Sequence, residues 1–233
     1  MRSVINKVYN YFKSDGKTFA KGVCKEKLFF IFLFGCVFGC VYEEFLNGYF
    51  SNIYNGAWVF ETRRGLLYGE LSPIYGWGAA LIVLLLCKRN RKWYLNLLYG
   101  SLIGGTFEYL TGFLQEKFTG YISWDYSKEF LNINGRTTIP FMLVWGLLAL
   151  VMIYVIYPFL SNLIEKIPYK LGTIMYKVLI ILVSIDIVLS FGAAIRQGMR
   201  HEGYQPFTPV GSFYDKVYPD DRIARSYPNA VRK

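Results

Sequence analysis

The stretch from Ile174 to Ile195, IMYKVLIILVSIDIVLSFGAAI, decides the fold. Its only charged residues are Lys177 and Asp186, and its remaining positions are overwhelmingly apolar. At ~1.5 Å rise per residue, a helix of this length covers the ~30 Å of a hydrocarbon core. In lipid the backbone must satisfy its own hydrogen bonds, so such a run is read as a membrane-crossing helix rather than a strand.

Working outward, four more runs of the same kind lie at roughly 28–46, 71–87, 93–114 and 139–160. Pro73 and Pro140 fall near the starts of two of them, where a missing N–H costs little. Aromatic residues gather at run ends, Trp93 with Tyr94 and Tyr157 with Phe159, as interfacial belts require. Composition agrees: the 233 residues are 54% hydrophobic and 19% aromatic but only 18% charged, against about 25% charged in soluble domains. The expectation is an all-α, polytopic transmembrane helix bundle of about five spans. It divides into a basic juxtamembrane segment (1–27), a transmembrane helical domain (28–195) and a polar C-terminal tail (196–233), whose Pro206, Pro209, Pro219 and Pro228 break any long helix.

The net charge of +10 comes from basic residues that flank the apolar runs. That placement fits lipid headgroups and topology, and no zinc spacing or basic recognition helix points to nucleic acid. Before the first run, Val4, Ile5, Val8, Tyr9 and Phe12 recur at helical spacing with Lys7 and Lys13 off that face, which predicts a short amphipathic helix on an anionic membrane surface. Lys and Arg in the N-terminal segment, residues 88–92 and residues 161–173 number thirteen, against five in residues 47–70 and 115–138. The bias puts the N-terminus in the cytoplasm and the C-terminal tail outside, in a multi-pass membrane protein.

The informative positions are acids inside the runs, where a carboxylate costs ~2.5–3.5 kcal/mol on insertion scales and therefore faces protein or water. Gly100, Gly104, Glu108 and Gly112 form one row at i+4 spacing, as do Gly35, Gly39 and Glu43, with Glu44 beside the second row. Glycines on such a face admit a second helix closely, so Glu108 and Glu43 should point into helix interfaces. Asp186 lies one turn before Ser190. With Arg64, Asp125 and Arg136 supplied by the connecting segments, the expectation is a polar, carboxylate-lined cavity opening outward. The candidate substrate- or ion-binding set is Glu43, Glu44, Arg64, Glu108, Asp125, Arg136 and Asp186.

The four cysteines, Cys24, Cys36, Cys40 and Cys87, show neither a disulfide framework nor metal spacing. Cys36 and Cys40, one turn apart, read as small packing residues, and the lone His201 lies outside every run. No metal site and no cofactor are expected, and no catalytic residue is assigned.

Several strings together resemble a known family: Arg64 through Tyr68 and Gly69 with Pro73-Ile74-Tyr75-Gly76; Glu108-Tyr109; Trp124-Asp125-Tyr126-Ser127; Asn134-Gly135-Arg136; and Trp145-Gly146. They are similar to the Putative ABC-transporter type IV (CmpB-like) family of small bacterial polytopic membrane proteins, over roughly residues 35–190. Cys40, Glu70 and Ser72 depart from that family's pattern. The resemblance implies a permease-like subunit. No G-x-x-x-x-G-K-[ST] phosphate loop occurs, so nucleotide hydrolysis would fall to a separate ATPase subunit, and five spans imply a homo-dimer or larger assembly.

Two other readings stand beside transport. Paired carboxylates near an aqueous mouth could serve an intramembrane enzyme acting on a lipid-linked or envelope substrate, with Trp124, Asp125 and Tyr126 in a substrate-facing loop; no nucleophile motif accompanies them. Alternatively, the glycine rows could pack a non-catalytic scaffold against another membrane protein.

Overall fold

The computed structural model describes residues 17–87 and 91–232. The amphipathic helix expected around Val4–Phe12, and Lys88 and Arg89 of the basic connection, lie outside the described residues.

Five long helices follow one another: α1 (Lys25–Asn55), α2 (Pro73–Leu86), α3 (Trp93–Thr119), α4 (Ile139–Glu165) and α5 (Tyr169–His201). Each coincides with one apolar run. By length and composition α1, α4 and α5 can each cross a membrane, and α2 is a shorter apolar helix. Local chemistry sets the ends. Cys24 Sγ caps α1 by accepting from Lys27 N, and Gly56 closes it in the left-handed region at φ 71°; Gly120, at φ 70°, does the same for α3. Thr138 Oγ1 caps α4 through Phe141 N at 3.0 Å. Within α4 the turn Met152–Ile156 widens to π geometry. Pro158 follows directly; its ring cannot donate and would crowd a tight α-turn at Tyr154, which the wider turn accommodates.

The helices pack as two antiparallel pairs through their glycine rows. A Cβ on Gly35 would meet the Tyr75 carbonyl oxygen at 2.8 Å, and one on Gly76 would meet the Phe32 carbonyl oxygen at 2.7 Å, so α1 and α2 touch backbone to backbone. On α3, Gly100 faces Ala149 of α4 and Gly104 faces Trp145. The rows that a scaffold would have offered to a partner are filled within the chain. A core of Ile31, Ile82, Val83, Leu86, Trp145, Ala149 and Met152 joins the two pairs, and α5 docks through Val183 against Phe32, Cys36 and Ala80. At the end where the chain begins, Lys27 is fully buried; its ammonium donates to Glu165 at 2.6 Å and to the Ser161 carbonyl at 3.2 Å.

The loops 56–72 and 120–138 share the opposite end, hereafter the loop end. There β2 (Asn132–Ile133) and β3 (Thr137–Thr138) form a hairpin whose turn uses Asn134 and Gly135 at positive φ. The C-terminal residues return to this end: α5 continues past Ile195 to His201, and α6 (Pro209–Val217) and α7 (Asp220–Ser226) follow. A final strand β4 (Val231–Arg232) then pairs antiparallel with β1 (Tyr121–Ile122). Asp215 clamps the return by accepting from Arg196 at 2.8 Å and Arg200 at 2.7 Å.

Candidate functional site

Glu43 and Glu108 come from different helices into one polar cluster near the loop end. Tyr75 of α2 donates its hydroxyl to Glu43 Oε1 at 2.7 Å. Its ring fits only because Gly39 of α1 has no side chain there, and it stacks on Trp145 with centroids 6.0 Å apart. Glu108 is 6% exposed; Thr137 Oγ1 donates to its Oε2 at 2.6 Å and Tyr126 donates to its Oε1 at 3.4 Å. Burial, and next the Glu108 charge, push the Tyr126 phenol well above its ordinary range, so this loop hydroxyl stays protonated and donates. The two carboxylates lie close enough for Glu43 to act electrostatically on Glu108, and the Arg63 charge acts on Glu43. Both Glu108 oxygens are thus occupied, whereas Glu43 accepts a single side-chain hydrogen bond among the described residues.

Asp186 belongs to a second centre. It is buried, and its Oδ1 accepts from Ser190 Oγ at 2.9 Å and from Tyr68 N at 3.3 Å, while Ser190 Oγ accepts from Leu67 N at 2.8 Å. The pair Asp186 and Ser190 therefore satisfies the backbone of the 64–70 loop and fastens it to α5. Beside it lies an open, apolar groove of about 370 Å³, lined by Tyr68, Leu71, Leu182, Val183, Ile185 and Leu189 among others. The three acids expected in one cavity divide between these two centres.

The remaining predicted residues take other partners. Arg64 donates from Nε to the Ser226 carbonyl at 3.2 Å and reaches Glu70 at 3.8 Å, tying the loop to α7. Arg136 pairs with Glu116 at 2.6 Å, and its guanidinium lies over the rings of Tyr109 and Phe113. Asp125 is exposed and accepts from Ser127 N at 2.9 Å, shaping its own turn. Glu44, next to Glu43 in sequence, faces Cys40 Sγ at 3.7 Å instead of Tyr75.

A family model described as Putative ABC-transporter type IV matches residues 30–191. The chain belongs to this family. Among curated proteins and among solved structures, none matches. Membership in the Putative ABC-transporter type IV family marks the chain as a transporter-type membrane protein. The matched region takes in both polar centres and ends within α5, so α6, α7 and β4 lie beyond it. The hydroxyl donors Tyr75, Tyr126 and Thr137 were absent from the residues singled out by charge. They do stand in or beside the strings Pro73-Ile74-Tyr75-Gly76, Trp124-Asp125-Tyr126-Ser127 and Asn134-Gly135-Arg136 that carry the family resemblance, and that was the signal that could have found them.

Proposed function

We propose that the chain is a permease-like subunit whose solute- or ion-binding centre is the Glu43–Tyr75–Tyr126–Glu108 cluster. One observation carries the reading: two carboxylates from separate helices share a hydroxyl-lined interior, and one of them keeps an oxygen available. Burying carboxylates in a membrane bundle is costly, and such groups commonly mark ion or proton paths. A cation or protonated group approaching Glu43 would meet that oxygen, with Glu108 adding negative charge behind it and Tyr75 hydrogen-bonded to the other oxygen.

In this reading α2 and α3 complete five crossings, the N-terminus is cytoplasmic and the loop end faces outside. The thirteen-to-five distribution of Lys and Arg supports that orientation. Hydrolysis of ATP falls to a separate subunit, and the small number of crossings favours pairing with a second copy.

The test is purification of the full-length chain from its native membrane in mild detergent, with ATP hydrolysis measured on the eluate. The expected result is a stoichiometric ATPase partner whose activity in proteoliposomes changes when Glu108→Gln is introduced. A chain recovered without any ATPase, or a complex indifferent to both Glu43→Gln and Glu108→Gln, overturns the proposal.

A further inference from the structure

One residue round the helix from Glu43, three metal-ligating side chains converge. Cys40 Sγ lies 3.4 Å from Glu70 Oε2 and 3.7 Å from Glu44 Oε1, and the three donor atoms all fall within 4.8 Å of one another. We propose that Cys40, Glu44 and Glu70 form a binding site for a divalent cation of the zinc class, with a fourth position open at the loop end. The proposal stands independently of the transport reading.

Ligand spacing is the first argument. Tetrahedral zinc with Zn–S of ~2.3 Å and Zn–O of ~2.0 Å sets the sulfur–oxygen edges of the tetrahedron at about 3.5 Å. Both observed sulfur–oxygen distances bracket that value, and they are reached without moving a backbone atom. Electrostatics supplies the second. Two carboxylates are held together beside a thiol, and Arg64 reaches Glu70 at 3.8 Å through the oxygen turned away from Cys40. Among the described residues Glu44 has no ion pair. A bound dication relieves that crowding.

Surroundings outside the triad prepare it for metal. Thr62 donates to Glu70 Oε2 and so orients that ligand, as outer partners of metal ligands do. The loop bearing Glu70 is itself held in register: Gly65 N donates to Leu71 O at 2.8 Å and Ser72 N to Cys36 O at 3.0 Å. A sulfur donor selects zinc-like cations over magnesium or calcium. Glu70 is half exposed, so the cation can enter from the loop side, and once bound it would pin residues 62–72 to α1.

The test uses the full-length protein in detergent, stripped with a chelator and titrated with Co²⁺. We expect one Co²⁺ per chain with a sulfur-to-cobalt charge-transfer band and tetrahedral d–d bands, all displaced by Zn²⁺. Cys40→Ser should abolish the charge-transfer band, and Cys36→Ser, one turn away and outside the triad, should keep it. Glu70→Gln should weaken binding by about tenfold or more with an unchanged circular dichroism spectrum. Absence of the band in the folded wild-type chain overturns the site, leaving a hydrogen-bonded thiol; its persistence in Cys40→Ser overturns it equally.

Discussion

Tyr75 donates its hydroxyl to Glu43 across 2.7 Å, over the spot where Gly39 lacks a side chain. The contact joins α1 to α2, and it makes the glycine row and the acid in the same row parts of one device. Close helix approach is what brings the donor within reach of the acceptor.

Replacing the two partners should therefore have unlike effects. Tyr75→Phe keeps the ring on Trp145 but strips Glu43 of its donor, and should lower stability by about 1–3 kcal/mol. Glu43→Gln keeps an acceptor and should cost less stability while impairing function more. Thermal unfolding in detergent, set beside ATPase coupling in proteoliposomes, separates the two. Equal stability losses in both variants would contradict the assignment.

The α3–α4 contact should tolerate no added bulk at Gly104. A side chain there overlaps Trp145, and one at Gly105 overlaps Met142. Overpacking of that kind costs roughly 1–3 kcal/mol or more. Gly104→Leu is expected to shift the chain from a monodisperse to an aggregated elution profile, whereas Gly56→Ala, at a cap with nothing within 4 Å, should be tolerated apart from modest strain at its φ of 71°.

Asp186 is predicted to act as an anchor. Asp186→Asn retains an acceptor for Tyr68 N and Ser190 Oγ and should leave the 64–70 loop protected from hydrogen exchange. Asp186→Ala removes it and should raise exchange at Leu67 and Tyr68, at a cost of about 1–3 kcal/mol. If the Asn variant stops function as completely as Glu108→Gln does, Asp186 works beyond anchoring.

Docking of the C-terminal residues should weaken in acid. Hydrogen bonds from Arg196, outweighing burial and joined by those from Arg200, hold the Asp215 carboxyl below its ordinary value of 3.8. A depressed folded-state value means that the stabilisation is complete above the ordinary value and disappears as pH falls through the lowered one. Glu70 shifts the same way: burial opposes it, but Thr62, Cys40 and Arg64 prevail. Protection factors for amide exchange across α6 and α7, corrected for the intrinsic pH dependence, should therefore be unchanged from pH 8 to about pH 5 and fall well below pH 4. Asp215→Asn should show the released state already at neutral pH, and unaltered exchange in that variant would refute the clamp.

How much of this was legible beforehand follows from the range over which each feature is determined. Apolar runs, glycine rows and the in-line acids are local patterns, set by the ~3.6-residue period and the thickness of a hydrocarbon core. They disclosed the five helices, and they pointed Glu43 and Glu108 into interfaces. Partners distant in the chain carry no such period. Glu70 reaches Cys40 across a loop, Asp186 meets the backbone of Leu67 and Tyr68, and β4 pairs with β1 from the far end of the chain. Those meetings depend on how helices stack and loops close, and hydrogen bonds of that kind form wherever packing delivers a donor. The α-helical architecture is thus written in short-range pattern, while the membership of each polar centre was settled when the packed helices brought remote side chains into contact.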